Sequence, residues 1–247
     1  MLRAFAGGML FGDVSAPGGS VDVVGLHGWR RSRADLAAAL RGVPSVALDL
    51  PGFGASPPPA EPMGAAGYAR IVLDAVGEIT SDRVVMLGHS FGGRVAVCAA
   101  AQQPERVRAL VLTGVPLVRP PVRSRPRLRF RMARVLNRWS LISDARMEQF
   151  RQRYGSEDYR QASGVMRAVL VHAVNESYER ELSQLECPVE LVWGERDTVV
   201  PPAVAERAEQ LIAHAHLTVL DGVGHDTPVE AADEIRAIVA QLTAQPA

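Results

Sequence analysis

The chain contains no lysine. All 27 of its basic residues are arginine, and they balance 27 acidic residues to a formal net charge of zero, with an isoelectric point near 7.0. A balanced charge points to neither nucleic acid nor a membrane surface as partner. The arginine bias reads as codon usage, not as chemistry. Cysteine is nearly absent too. Cys98 and Cys187 lie in different apolar segments, which gives no metal-binding spacing and no disulfide framework, so a reducing, cytoplasmic compartment is expected. No apolar run approaches the length of a transmembrane helix. Arg3 and the short apolar stretch to Phe11, broken by Gly7 and Gly8, make a poor signal peptide and read as the first strands of a sheet. Internal repeats and disorder-type composition are also missing.

What is present is a chain of 247 residues, 47% hydrophobic, enough for one α/β domain or a domain with an insertion. Apolar runs and helical patterns alternate. Val21 to Leu26 reads as a strand, Arg33 to Leu40 as a helix and Val46 to Leu48 as a strand. A turn-rich loop follows, Asp49-Leu50-Pro51-Gly52-Phe53-Gly54, then a Pro- and Ala-rich surface loop from Pro57 to Pro62. A helix fits Tyr68 to Ile79, a strand Val84 to Leu87, a helix Phe91 to Gln102 and a strand Leu110 to Leu112. The pattern resumes with strand Val189 to Trp193, helix Ala203 to Ile212, strand Leu217 to Leu220 and helix Glu230 to Leu242. This alternation predicts a doubly wound, mostly parallel sheet covered on both faces.

Between the two halves, Leu117 to about Ser183 shows no convincing strand and is rich in arginine. The expected organisation is a core of residues 1–116 and 184–247, with residues 117–183 inserted as an all-α cap. Leu128, Met132, Val135, Leu136 and Trp139 have helical spacing. Val165, Ala168, Val169, His172 and Ala173 suggest a second cap helix. Arg119, Arg123, Arg125, Arg127, Arg129, Arg131, Arg134 and Arg138 crowd the first part of the segment. They could attract an anionic substrate or an acidic partner, but a solvated face is the better reading.

The chemistry concentrates in Gly88-His89-Ser90-Phe91-Gly92. A serine between two glycines, after a strand and before a helix, is the pattern of a nucleophile elbow. In a doubly wound sheet, ligands bind outside the carboxyl ends of the strands. Three more segments fall at such ends: His27-Gly28-Trp29, Glu195-Arg196-Asp197 and Gly222 to His225. A serine hydroxyl needs a base within hydrogen-bond reach, and the base needs an orienting group. His225 is the best base. Asp197 is the best orienter, with Glu195 the alternative; Asp226 adjoins His225 too closely in sequence to serve. The backbone N–H of Phe91, at a helix N-terminus, suits an oxyanion. Trp29 is expected to supply the second N–H, with Arg30 the alternative. His89 is read as packing beneath the elbow, His27 as supporting its own loop, and His172, His214 and His216 as surface or packing residues.

Together with Asp49-Leu50-Pro51-Gly52-Phe53-Gly54-Ala55-Ser56, Gly93 and Trp193-Gly194, these motifs resemble the α/β-hydrolase fold superfamily over the whole chain outside the middle segment. The resemblance implies the roles of nucleophile for Ser90, acid for Asp197, base for His225 and oxyanion loop at Trp29. It implies a cofactor-free and metal-free serine hydrolase that cleaves an ester, thioester or related acyl bond of a small, potentially anionic molecule. Haloalkane dehalogenases and epoxide hydrolases of this fold place an Asp at the nucleophile, which Ser90 argues against. The same triad also serves lyases and C–C bond hydrolases, and some members act as ligand receptors or signalling partners, so the triad indicates a style of reaction and not a substrate. The N-terminus is short relative to many members, which suggests that the first strand is missing.

Overall fold

A computed structural model describes residues 1–16, 19–118 and 157–244. Among these, eight strands form one sheet: β1 (Leu2–Phe5), β2 (Leu10–Val14), β3 (Val23–Leu26), β4 (Ser45–Asp49), β5 (Val84–His89), β6 (Val107–Thr113), β7 (Val189–Gly194) and β8 (Ala215–Leu220). Their order is β1-β2-β4-β3-β5-β6-β7-β8. β1 pairs antiparallel with β2, and β2 antiparallel with β4. All other pairs are parallel. The suggestion of a missing first strand is therefore corrected. β1 and β2 form a hairpin at the sheet edge, joined by a turn whose Ala6 N–H donates to the Glu78 carboxylate at 3.0 Å.

The central strands are buried on both faces, which is why they read as unbroken apolar runs. Alternate residues still go to opposite sides. Val46, Leu48, Met86, Leu110, Leu112, Leu191 and Trp193 face one core; Ala47, Val85, Leu87, Val111 and Val192 face the other. The first core is closed by α1 (Ala65–Ile79), α2 (Phe91–Gln102) and α6 (Pro202–Glu209). The second is closed by the segment around Leu36 and Leu40 and by the last helix, α8 (Ala232–Ala244), through Ile235, Val239 and Leu242. In α1 the buried positions Tyr68, Ala69, Val72, Leu73 and Val76 recur at helical spacing.

One predicted helix differs in form. Arg33 to Leu40 contains only a 3-10 turn, Arg33–Leu36, followed by further turns. Here the Asp49 carboxylate accepts from the Arg33 N–H at 2.8 Å, and a Cβ placed on Gly25 would lie 2.9 Å from the Cδ1 atoms of both Leu36 and Leu40. Tight packing on β3 and a tether at its first residue shape this segment. The final helix lies where expected, as α8, and a short helix, α7 (Thr227–Glu230), precedes it. At the end of α7 the Glu230 carboxylate folds back to accept from Gly224 N–H at 2.8 Å and Asp226 N–H at 3.2 Å.

Between β6 and β7, the described residues form α3 (Glu157–Gln161), α4 (Gly164–Asn175) and α5 (Glu179–Ser183). α4 coincides with the second helix expected there, and Val169 and Ala173 join the first core. Arg94 of α2 donates to the Ala173 carbonyl. The Glu176 carboxylate accepts from Tyr178 Oη at 2.6 Å and from Ala65 N–H at 3.3 Å. These contacts seat the chain from α4 to α5 on α1 and α2. The helix expected around Leu128 to Trp139, and the arginines from Arg119 to Arg138, lie outside the described residues. Among the described residues no helix is long and apolar enough to cross a membrane.

A layer of buried polar groups sits at the carboxyl ends of the parallel strands: His27, Asp49, His89, Thr113 and Asp197. Asp49 is fully buried. It accepts from the N–H groups of Arg33 and Ala55, each at 2.8 Å, and from the Arg33 guanidinium. Its own carbonyl accepts from Ser56 Oγ at 2.6 Å. One carboxylate thus organises the loop after β4. Asp49→Ala leaves two N–H groups without their acceptor and the Arg33 guanidinium with Asp13 as its remaining carboxylate, and is expected to cost about 2–4 kcal/mol. Urea unfolding measures this, and a loss under about 1 kcal/mol would show that the loop re-pairs without Asp49.

The histidines of this layer are held neutral. His27 Nδ1 lies 2.7 Å from the Gly28 carbonyl, and its Nε2 accepts from Leu50 N–H at 3.0 Å; burial lowers its pKa. His89 Nδ1 lies 3.0 Å from the Thr113 carbonyl. Burial first, and the neighbouring His225 second, push its pKa down from 6.5 to about 4. The unfolded chain therefore binds a proton near 6.5 that the folded chain refuses until about pH 4. Folded stability is fully retained above that range and falls as the pH drops through it, by about 1.4 kcal/mol per pH unit for one such histidine. Urea unfolding of the wild type and His89→Gln at several pH values between about 4.5 and 7 should show the shallower decline in the variant. Parallel declines would mean that His89 is not held neutral by the fold.

Candidate active site

Four loops at one rim of the sheet carry the candidate residues. Ser90 follows β5 directly and has φ 49° and ψ −110°, in the left-handed half of backbone space that L-residues seldom occupy. Its N–H donates to the Thr113 carbonyl at 2.9 Å, and the Gly92 N–H donates to the His27 carbonyl at 3.0 Å. The turn is therefore pinned on one side to the end of β6 and on the other to the loop after β3. From Phe91 the chain continues as α2.

The loop after β3 lies against the serine. A Cβ placed on Gly28 would stand 3.4 Å from Ser90 Cβ and 3.0 Å from His89 Cδ2, so glycine relieves a tight approach here. Trp29 packs edge-on against Phe53 and Phe91, with ring centroids 5.0 and 5.4 Å away. Phe91 in turn meets Tyr68 at 5.0 Å. Among the described residues the N–H groups of Phe91 and Trp29 have no hydrogen-bond acceptor, nor does that of Arg30. Arg30 has φ 58°, and its side chain pairs with Asp158 of α3 at 3.3 Å.

The loop after β7 is closed by a buried hydrogen bond. Trp193 is fully buried and its indole N–H donates to the Val200 carbonyl at 2.8 Å. Asp197 is buried inside the loop so closed. Its Oδ1 accepts from the N–H groups of Val199 and Val200 at 2.9 and 2.7 Å. Its Oδ2 lies 2.7 Å from His225 Nδ1. The alternative acid, Glu195, instead accepts from the Gly222 N–H at 3.1 Å and does not meet the imidazole. Asp197 can therefore orient His225 and bear its positive charge, which leaves Nε2 as the nitrogen free to exchange a proton.

His225 lies on the loop after β8, partly exposed, with its ring over Gly114. A Cβ at Gly114 (φ +58°) would stand 2.9 Å from both Cε1 and Nδ1. The other flank of the ring faces His89, with centroids 5.0 Å apart. His89 is thus buried, as read from sequence, but it also forms part of the bed of His225. That role, like those of Gly114 and Thr113, had no signal in a single sequence because it depends on how β6 lies beside β5. Both cysteines are buried and free. Burial raises the thiol of Cys98 to about 12 and that of Cys187 to about 11, so neither is a thiolate at neutral pH.

Ser90, the loop of Trp29, Asp197 and His225 therefore stand at one rim on four strand ends, with Asp197 joined to His225 and the Trp29 loop laid against Ser90, and the comparisons place this fold in a known family. A model of the "Alpha/beta hydrolase family" matches residues 23–238. A 2-hydroxymuconate semialdehyde hydrolase of Pseudomonas putida is 28% identical over 218 residues, covering 81% of this chain and 76% of the relative. A pimeloyl-[acyl-carrier protein] methyl ester esterase of Nitrosomonas europaea is 26% identical over 251 residues, covering 86% and 91%. The crystal structure of the meta-cleavage product hydrolase CumD superposes with a TM-score of 0.71 at 20% identity, covering 98% of this chain and 97% of that one. A single family model spanning six of the eight strands and their covering helices leaves one assignment: the chain belongs to the alpha/beta hydrolase family.

Proposed function

We propose that the protein is a serine hydrolase that cleaves an ester, thioester or related acyl bond through an acyl-enzyme. The observation that carries this reading is the 2.7 Å contact between His225 Nδ1 and the buried Asp197, at the rim where Ser90 stands in a left-handed elbow. In the first step Ser90 Oγ attacks the carbonyl carbon as its proton passes to His225 Nε2. The N–H groups of Phe91 and Trp29 hold the resulting oxyanion. His225 then protonates the leaving group and the acyl-enzyme forms. A water gives a proton to His225 and attacks the acyl carbon, and His225 then returns that proton to Ser90 Oγ as the acid is released. Residues 117–183 form the cap over this rim, and the ion pair between Arg30 and Asp158 supports a direct tie between cap and oxyanion loop. The cap's apolar residues supply the acyl or leaving-group pocket.

A second reading keeps the same residues for hydrolysis of a C–C bond. The relatedness to a 2-hydroxymuconate semialdehyde hydrolase favours it, as relatedness to an acyl-carrier methyl ester esterase favours the first. Turnover of a panel of p-nitrophenyl acyl esters, set beside a vinylogous 1,5-diketone acid of the ring-cleavage type, separates the two. Under the ester reading Ser90→Ala lowers ester turnover by roughly 10³-fold or more, and Asp197→Asn by roughly 10³–10⁴-fold, with folding intact. Undiminished ester turnover by Ser90→Ala would remove Ser90 as nucleophile. Turnover confined to the diketone would transfer the site to C–C chemistry.

A further inference from the structure

Asp226 stands at the N-cap position of α7, yet its carboxylate makes no capping hydrogen bond. An Asp at that position ordinarily accepts from the first free N–H groups of its helix. Here the backbone carbonyl of Asp226 takes the Val229 and Glu230 N–H groups at 2.9 Å, and the carboxylate turns away. Its Oδ2 pairs with the Arg31 guanidinium. Its Oδ1 lies 3.8 Å from His89 Nε2. His89 is neutral, so the charge that answers the carboxylate is that of Arg31.

The two partners belong to different functional loops. Arg31 is two residues past Trp29, on the loop after β3. Asp226 adjoins His225, on the loop after β8. β5, β6 and β7 lie between those strands in the sheet, so the loop origins are four strand spacings apart, roughly 19 Å. Each loop leans over the rim to reach the other. Asp35 gives Arg31 a second carboxylate, 3.4 Å from its Nε, which holds the guanidinium in place. Both side chains are well exposed, 38% for Arg31 and 39% for Asp226. A pair this exposed contributes little to stability, but it can still fix a distance between two loops.

We propose that Arg31 and Asp226 are positioning residues, an ion-pair clamp that holds the oxyanion loop and the base loop in register across the rim. This rests on the reading of Ser90, His225 and the Trp29 N–H as reacting groups. The clamp touches no substrate. It acts by keeping His225 and the Trp29 N–H placed relative to Ser90, where a displacement of about an ångström can slow a reaction by as much as 10²-fold.

The test follows the phosphonylation of Ser90 by a p-nitrophenyl alkylphosphonate, read from p-nitrophenol release and intact mass. Asp226→Asn and Arg31→Met are each expected to lower the maximal inactivation rate about tenfold, with the half-saturating inhibitor concentration and the melting temperature nearly unchanged. The double variant should be no slower than either single one, because the second change removes nothing further. Arg31→Lys, which keeps the charge, should restore most of the rate; it also carries the test should Asp226→Asn fold poorly. Wild-type rates in the single variants, or losses that multiply in the double variant, overturn the clamp while leaving the Ser90 reading intact. Failure of the wild type to react, or equal labelling of Ser90→Ala, overturns the Ser90 reading and the clamp with it.

Discussion

A serine at φ 49° and ψ −110° is the constraint on which the site depends. That conformation costs on the order of 1–3 kcal/mol and persists only where the surroundings enforce it. Here the enforcement comes from both sides. The Ser90 N–H is held by the Thr113 carbonyl and the Gly92 N–H by the His27 carbonyl, while α2 starts at the next residue and buries most of its length in the first core. The end of β6 and the loop after β3, on either side of β5, thus supply the acceptors that keep the turn tight. A serine elsewhere in the sheet would have neither the acceptors nor the helix behind it.

The rest of the rim is built to keep charge where it is useful. His27 and His89 are buried, bonded to carbonyls and depressed in pKa, so they add hydrogen bonds without adding cations. His225 is the histidine given a carboxylate. A neutral His89 beside it leaves room for a positive charge on His225, which a second imidazolium 5.0 Å away would oppose. Asp197 is held by two backbone N–H donors, in a loop closed by the Trp193 indole. Asp49 does for the β4 loop what Asp197 does for the β7 loop: one buried carboxylate gathers several donors, so a turn of Pro and Gly residues has a single shape.

Much of the fold was legible because buried parallel strands must be apolar throughout and their covering helices must be amphipathic. The runs Val84 to Leu87, Leu110 to Leu112 and Val189 to Trp193 all lie in the strands expected, and α2 spans the residues expected. Where the reading erred, a tertiary contact had overridden a local pattern. The Arg33 to Leu40 stretch has helical spacing, but the carboxylate of Asp49 and the crowding at Gly25 leave it a 3-10 turn. The N-terminal residues do form the strands read there, and the suggestion of a missing first strand failed because the edge of β4 is open to receive β2.

The four loops were recognisable as motifs, since each needs particular residues in unbroken sequence: glycines around Ser90, an acid after Trp193-Gly194, a histidine after glycines. By itself the sequence determined the order of strands and helices and the chemical types available at the strand ends. Only the tertiary structure decided which of those groups meet. It paired His225 with Asp197 and not Glu195 or Asp226, laid the imidazole over Gly114 and beside His89, and turned the Asp226 carboxylate from its own helix to Arg31. The reason is physical. A residue's type is local, but hydrogen-bond partners are chosen by distances of about 3 Å between loops that sheet order brings together from far apart in the chain.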